Sequence, residues 1–334
     1  MYSDLAQARA WNRPMLVFAG ASAVLGVVAI VGMLVDHRML GGAPVWAKPL
    51  KFAISGVLYG LTWAWLCSLV DRRQRTVRRA SAVIVVLLGL ELLLITGQVV
   101  RGRPSHFNVG TLFDATVYEI MATSIVVVWC GALVLTVLVL RSDIRDGARK
   151  LTVGLGAVIS LVGVGLGALM TIPTGGQIAA LEAGGNFHTL GTHTVGAPDG
   201  GPGLPLLGWS TTGGDLRIPH FVGMHGLQAM LLWYLVLGLL AARWSRFRLA
   251  AVRSSLVRIG AAGYAGLLVL LTWQAYRGQP ITSPDGWTLA AFGVLVAGMA
   301  VAAAMALRRP VVSTVDNDVP EPVVAIPEPA GSAR

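Results

Sequence analysis

Apolar residues run along this chain in long blocks separated by short charged stretches. That is neither the alternation of a half-buried strand nor the one-sided stripe of a soluble helix. Crossing a hydrocarbon core of about 30 Å takes roughly 20 residues of helix. Eight blocks meet that length: Pro14–Val35, Trp46–Val70, Ala80–Gln98, Leu112–Leu140, Leu151–Ile172, Pro219–Ala242, Ile259–Tyr276 and Trp287–Leu307. Five contain no Asp, Glu, Lys or Arg; the second opens with Lys48 and Lys51, the third carries Glu91, and the fourth carries Asp114 and Glu119. The first block follows the mixed segment MYSDLAQARAWNR, which reads as the flank of an uncleaved helix. Small residues crowd the fifth, with Gly154, Gly156, Gly163, Gly165 and Gly167, a pattern for close helix packing in lipid.

Composition agrees. The 334 residues are 55% apolar and 13% charged, against roughly 25% charged in a soluble domain. A net charge of +10 would point a soluble chain toward nucleic acid. Sorted by alternate connections, however, 19 of the 26 Lys and Arg fall on the side that holds both termini, and 7 on the other. The positive-inside rule then places both termini in the cytoplasm of a cell membrane. The excess charge is a topology signal, and no nucleic-acid partner is expected. The fold class expected is all-α, a polytopic membrane bundle of eight helices whose partner is the lipid bilayer. Two cysteines exclude a disulfide framework. The stretch 310–334 has five prolines in 25 residues and reads as a disordered cytoplasmic tail.

The chain also repeats. PLKFAISG at 49–56 aligns with PHFVGMHG at 219–226, sharing Pro49/Pro219 and Gly56/Gly226. TGQVVRGRP at 96–104 matches TWQAYRGQP at 272–280 at five of nine positions. The offsets are 170 and 176, and Gly41–Gly42 and Gly213–Gly214 precede the first pair. Four helices are duplicated as 1–150 and 151–309, and an even number gives a parallel repeat with its axis along the membrane normal. This duplicated eight-helix arrangement resembles the heme A synthase family in topology. None of that family's motifs and no pair of intramembrane histidines per half is present, so no function follows from the likeness.

Polar residues inside a membrane are functional candidates by default. Here they gather on the outer side. Five histidines there, His106, His188, His193, His220 and His225, are the candidate metal ligands, since neutral imidazole suits zinc, copper and iron. His225 and Gln228 share a helix face. His220 lies about 140° around the helix from His225, so the two do not serve one metal from one helix. Glu91, Asp114 and Asp215 are the candidate acids; Glu91 lies mid-helix with Leu267 at its repeat position, while Asp114 also suits a helix N-terminus for its dipole alone. Lys51, Arg101 and Arg277, with Gln98, Gln274 and Gln228, are candidates to hold a cofactor or an anionic group; Arg101 and Arg277 also read as interfacial anchors. The loop 173–218 carries twelve glycines and a short helix expected at 177–183, and it reads as an ordered lid or a flexible connection.

No C-x-x-C-H, H-E-x-x-H, G-x-S-x-G, P-loop or dinucleotide fingerprint occurs. Three function classes stay open. The favoured one is a membrane enzyme or redox protein, dependent on a transition metal or heme b, with an extracytoplasmic His/Arg/Asp site for a small or lipid-phase ligand. The others are a transporter or channel subunit for a small anion, and a non-catalytic receptor or assembly factor.

Overall fold

A computed structural model describes residues 11–185 and 188–308. The expected tail at 310–334 and most of the N-terminal flank lie outside the described residues. The chain is mostly helical, and eight of its helices are long and apolar enough to span a membrane. In chain order the helices are α1 (Arg13–Val35), α2 (Ala47–Ser68), α3 (Gln74–Arg101), α4 (Leu112–Leu140), α5 (Gly147–Leu166), α6 (Gly175–Glu182), α7 (Arg217–Met224), α8 (Gly226–Arg243), α9 (Ala250–Tyr276) and α10 (Gly286–Arg308). Four two-residue strands form two antiparallel pairs, β1 (Met39–Leu40) with β2 (Ala43–Pro44) and β3 (Thr194–Val195) with β4 (Gly214–Asp215).

Helix boundaries follow their caps. Asn12 accepts from Met15 N ahead of α1, Asp146 accepts from Ala148 N and Arg149 N ahead of α5, and Thr174 with Gln177 forms a reciprocal capping box at α6. Two helices start well before their apolar blocks, α3 at Gln74 and α9 at Ala250. Hydropathy marks the length in hydrocarbon, while arginine-rich turns continue the helix into the interface at little cost.

The sixth apolar block, expected as one helix, is two. His225 ends α7 and precedes α8 with φ −90° and ψ 8°. Two neighbouring hydroxyls bond the backbone around this break: Ser160 Oγ donates to the Met224 carbonyl at 2.5 Å, and Tyr264 OH to the Val222 carbonyl at 2.6 Å. Side-chain donors of this kind let a broken helix persist in lipid.

α1 lies along α2, and α5 along α7 and α8. In the first pair Ala19 meets Gly60, Ser22 meets Gly56, and Gly26 meets Ala53. In the second, Gly156 meets Met230, Ile159 meets Gly226, and the Gly163 and Gly223 backbones touch. Each contact of the second set lies 137 residues on along α1/α5 and 170 on along α2/α7–α8. Of the fifth block's glycines, Gly156 and Gly163 thus provide close packing, whereas Gly165 faces nothing within 4 Å. α3 pairs with α4 and α9 with α10 in the same alternation.

By this alternation one end of the bundle, here the site end, collects the ends of α1, α3, α5 and α9 and the starts of α2, α4, α7 and α10. Toward the opposite end Met15, Trp63, Leu66, Ile84 and Leu135 form an apolar core.

Candidate functional site

One face of α2 carries Lys48, Phe52, Ser55, Tyr59 and Thr62 at helical spacing. It looks onto α7 and α8: Ser55 Oγ lies 3.2 Å from His225 Nε2, and Gln228 Nε2 donates to Thr62 Oγ1 at 3.3 Å. Ser55 and His225 are 170 residues apart, the offset of the repeated motif.

Above this seam an aromatic chain joins three of the five candidate histidines. His220 stacks edge-on with Phe221, Phe221 with Phe52, Phe52 with His106, His106 with Phe107, and Phe107 lies tilted against His193. Lys48 Nζ donates to His106 Nδ1 at 3.1 Å and lies 5.9 Å above the Phe52 ring. Burial, with Lys48 and His220 nearby, holds His106 well below its ordinary value, so its ring is the neutral acceptor that this bond requires. His193 Nδ1 lies 3.0 Å from Asp199 Oδ1. Burial and Arg217 push His193 down to about 4, against the pull of Asp199 and Asp215.

Asp215 is 1% exposed and takes a forked ion pair from Arg217, with contacts of 2.6 and 2.9 Å, plus the Ser210 amide at 2.8 Å. Burial alone would raise its carboxyl; Arg217 holds it below the usual range. The loop over these groups is tied down. Lys51 Nζ donates to the Leu207 carbonyl at 2.8 Å, and Arg217 Nη2 to that of Gly208. Leu190 N bonds the Phe107 carbonyl, Thr192 N that of Met170, and Val109 N that of His188. Gln177 of α6 holds Thr189 and Gly191.

Other candidates stand apart from this cluster. Gln98, Arg101 and Thr111 all bond Asp114, at 2.9, 2.6 and 2.8 Å, in a knot joining the end of α3 to the start of α4. Arg277 pairs with Asp285, which caps α10 through Thr288 N, and Gln274 Nε2 donates to the Pro280 carbonyl. Both arginines therefore hold aspartates, a pairing that neither the anchor reading nor the anion-holding one names. His188 sits against Gly110. His220 Nδ1 lies 2.8 Å from the Gly163 carbonyl, and Gly167 leaves room for its ring. Glu91 is 7% exposed, and its Oε2, like His225 Nδ1, Gln228 Oε1 and Tyr59 OH, has no hydrogen-bond partner among the described residues.

Among the described residues no three His, Cys, Asp or Glu side chains come together to hold a metal ion, so the expected metal centre gains no support. The H-x-x-G-x-H spacing pairs histidines along the chain, whereas the fold gives each a different neighbour. Asp199 was not a candidate, because a single acid in a glycine-rich loop has no periodic context. Lys48, which the sequence marks only as a charge at the start of the second apolar block, becomes central through His106. A separate cavity of about 570 Å³ between α8, α9 and α10, lined by Trp233, Tyr264, Phe292 and Met299 among others, carries no charged side chain. No family model matches this chain, nor does any curated protein or solved structure.

Proposed function

We propose that this chain is a multi-pass protein of the cell membrane that binds a small oxyanion or carboxylate at the site end of its bundle. One observation carries the reading. Arg38, Arg101, Arg217 and Arg277 at that end each hold an aspartate, whereas Lys48 and Lys51 bond only neutral acceptors, His106 Nδ1 and the Leu207 carbonyl. Two half-buried ammonium groups one turn apart, without a carboxylate partner among the described residues, offer an anion more than a solvated lysine does. An arriving anion takes the place of the Leu207 carbonyl at Lys51 and loosens the loop above it.

The site end is read as extracytoplasmic, with both termini inside, because 19 of 26 basic residues lie on the other side. The four-plus-four duplication is supported by the three contact pairs that recur at offsets of 137 and 170. It is supported also by the Ser55–His225 bond, since equivalent positions touch only beside a twofold axis. A metal- or heme-dependent redox protein is the second reading. It is favoured by His225 Nδ1, a buried ring nitrogen without a partner among the described residues.

Thermal unfolding of the full-length protein in detergent, with sodium sulfate against sodium chloride at equal ionic strength, tests the first reading. Sulfate raises the midpoint, and Lys48→Met with Lys51→Met removes the rise. A midpoint indifferent to sulfate overturns it. A visible spectrum and elemental analysis of the same sample test the second: a Soret band or stoichiometric metal lost in His225→Ala supports it, and neither signal rejects it.

A further inference from the structure

Two consecutive backbone carbonyls cap two cations at the site end of the bundle. The Leu207 oxygen accepts from Lys51 Nζ at 2.8 Å, and the Gly208 oxygen from Arg217 Nη2 at 2.5 Å. Both belong to one turn, 204–209. Its base is shut by Leu204 N on the Trp209 carbonyl at 2.8 Å and by Gly208 N on the Leu204 carbonyl at 2.7 Å. At its tip Leu207 N bonds the Pro205 carbonyl, two residues back, at 2.7 Å, with Leu206 between them at φ 63°. A bond of this span around a positive φ is the strained form of the γ-turn. Leu206 is one of three non-glycine residues at positive φ among the described residues, and Gly208 follows at φ 65°. Packing of the leucine does not hold the turn, since its side chain is 47% exposed. Strain persists only where surrounding contacts over-determine it, and it collects at ligand clamps and switches. Here those contacts include Lys51 and Arg217.

A peptide oxygen carries only a partial charge, so it is a weaker partner for a cation than an anionic oxygen is. Resting on the anion site above, we propose that the turn 204–209 is a built-in plug of that site, and that Arg217 is a further ligand contact beside Lys51. The Leu207 and Gly208 oxygens stand in for two oxygens of a carboxylate or tetrahedral oxyanion. The arriving anion displaces both, so each cation keeps an acceptor while the turn moves off and Leu206 relaxes. Arg217 keeps its fork on Asp215 throughout, and the buried aspartate stays paired. Plugged and anion-bound states then exclude one another. Whatever makes the turn easier to hold weakens anion binding, and whatever makes it harder to hold strengthens binding.

The test is calorimetric titration of the full-length protein in detergent with sodium sulfate, with sodium chloride holding the ionic strength. Two backbone substitutions read the plug with opposite signs. Gly208→Ala keeps the carbonyl and places a methyl group no nearer than 3.9 Å, to Ala43 Cβ, so it acts through φ alone. It makes the turn harder to hold and binds sulfate about five-fold tighter than wild type. Leu206→Gly removes the strain and binds about five-fold more weakly. Hydrogen exchange at constant pH gives an independent signature: sulfate quickens exchange over 204–209, whereas a ligand resting on an undisturbed loop slows it. Sulfate binding with unchanged affinity in both variants and no quickening overturns the plug and leaves the anion site standing. Shifts of the same sign in both variants do the same. Sulfate binding by neither wild type nor Gly208→Ala overturns the anion site itself. Should a variant not fold, the exchange response of wild type decides.

Discussion

The two halves of the proposed duplication end their third helices with the same Gln-x-x-Arg step, yet the steps are finished differently. In the first half Arg101 and Gln98 close on Asp114, three residues inside α4 and 2% exposed. In the second, Arg277 closes on Asp285, one residue before α10 and about one-third exposed. The cap order is exchanged as well: Thr111 caps with Asp114 inside, Asp285 caps with Thr288 inside. One local solution, an arginine stapling a helix end to the next helix start, has been kept while the acid moved by a turn. The chemistry has not been kept. Lys48, Glu91 and His106 belong to the first half, and at the repeat offsets the second has Ile218 and Leu267 for the first two. On the proposed duplication, the lesson is that the repeat supplies a frame, and the candidate site comes from where the halves diverge.

The frame itself breaks most easily where backbones touch. Gly163→Ala puts a methyl group into the Gly223 backbone and should cost about 3 kcal/mol. The corresponding Gly26→Ala meets Ala53 Cβ at 3.7 Å, an ordinary contact, and should be neutral or gain about 0.5 kcal/mol from helix propensity. Thermal unfolding in detergent checks both; equal effects would mean that the two seams are not packed as described.

The staples should differ next. Asp114→Asn leaves Arg101 without its buried partner and should cost about 2 kcal/mol. Asp285→Asn should move the midpoint less, because Arg277 can turn to water. A larger loss for Asp285→Asn reverses the comparison.

The smallest effect is local and pH-dependent. His193 is held down to about 4, so between its ordinary value near 6.5 and 4 the unfolded segment binds the extra proton. Loop stability is then full above about pH 6.5 and falls as pH drops toward 4. Asp215, lowered below 3.8, keeps its contribution above that value and loses it only in stronger acid. Protection factors over 188–216, with the pH dependence of intrinsic amide exchange divided out, should therefore fall between pH 7 and 5, and His193→Gln should flatten that response. Protection that is flat in wild type removes His193 as a support of the loop.

How much of this could be read along the chain varied with the kind of signal. The eight long apolar helices were legible because apolarity over such a length is a one-dimensional property of composition, and their ends were missed by up to nine residues, as at Ala250, because helix and apolar block end at different places. The proposed repeat shows along the chain where Gly, Pro, Gln and Arg recur at helix ends. It was invisible between α1 and α5, where Ala19 and Gly156 or Ser22 and Ile159 share only a place in the packing. The arginine staples were legible as anchors and not as ion pairs, since their aspartates lie at different distances along the chain.

What the sequence determined by itself is the number of helices long and apolar enough to cross a membrane, the charge asymmetry and the lateness of the long glycine-rich loop. Each depends on residue type summed over a window, and such sums survive without coordinates. What tertiary structure decided is which polar side chains share a neighbourhood. Lys48 meets His106 across 58 residues, Ser55 meets His225 across 170, and Lys51 meets the Leu207 carbonyl across 156. These pairings exist because helices cross and loops fold back over their ends. A short-range bond between distant residues is fixed by the packing of the whole bundle, and no local pattern encodes it.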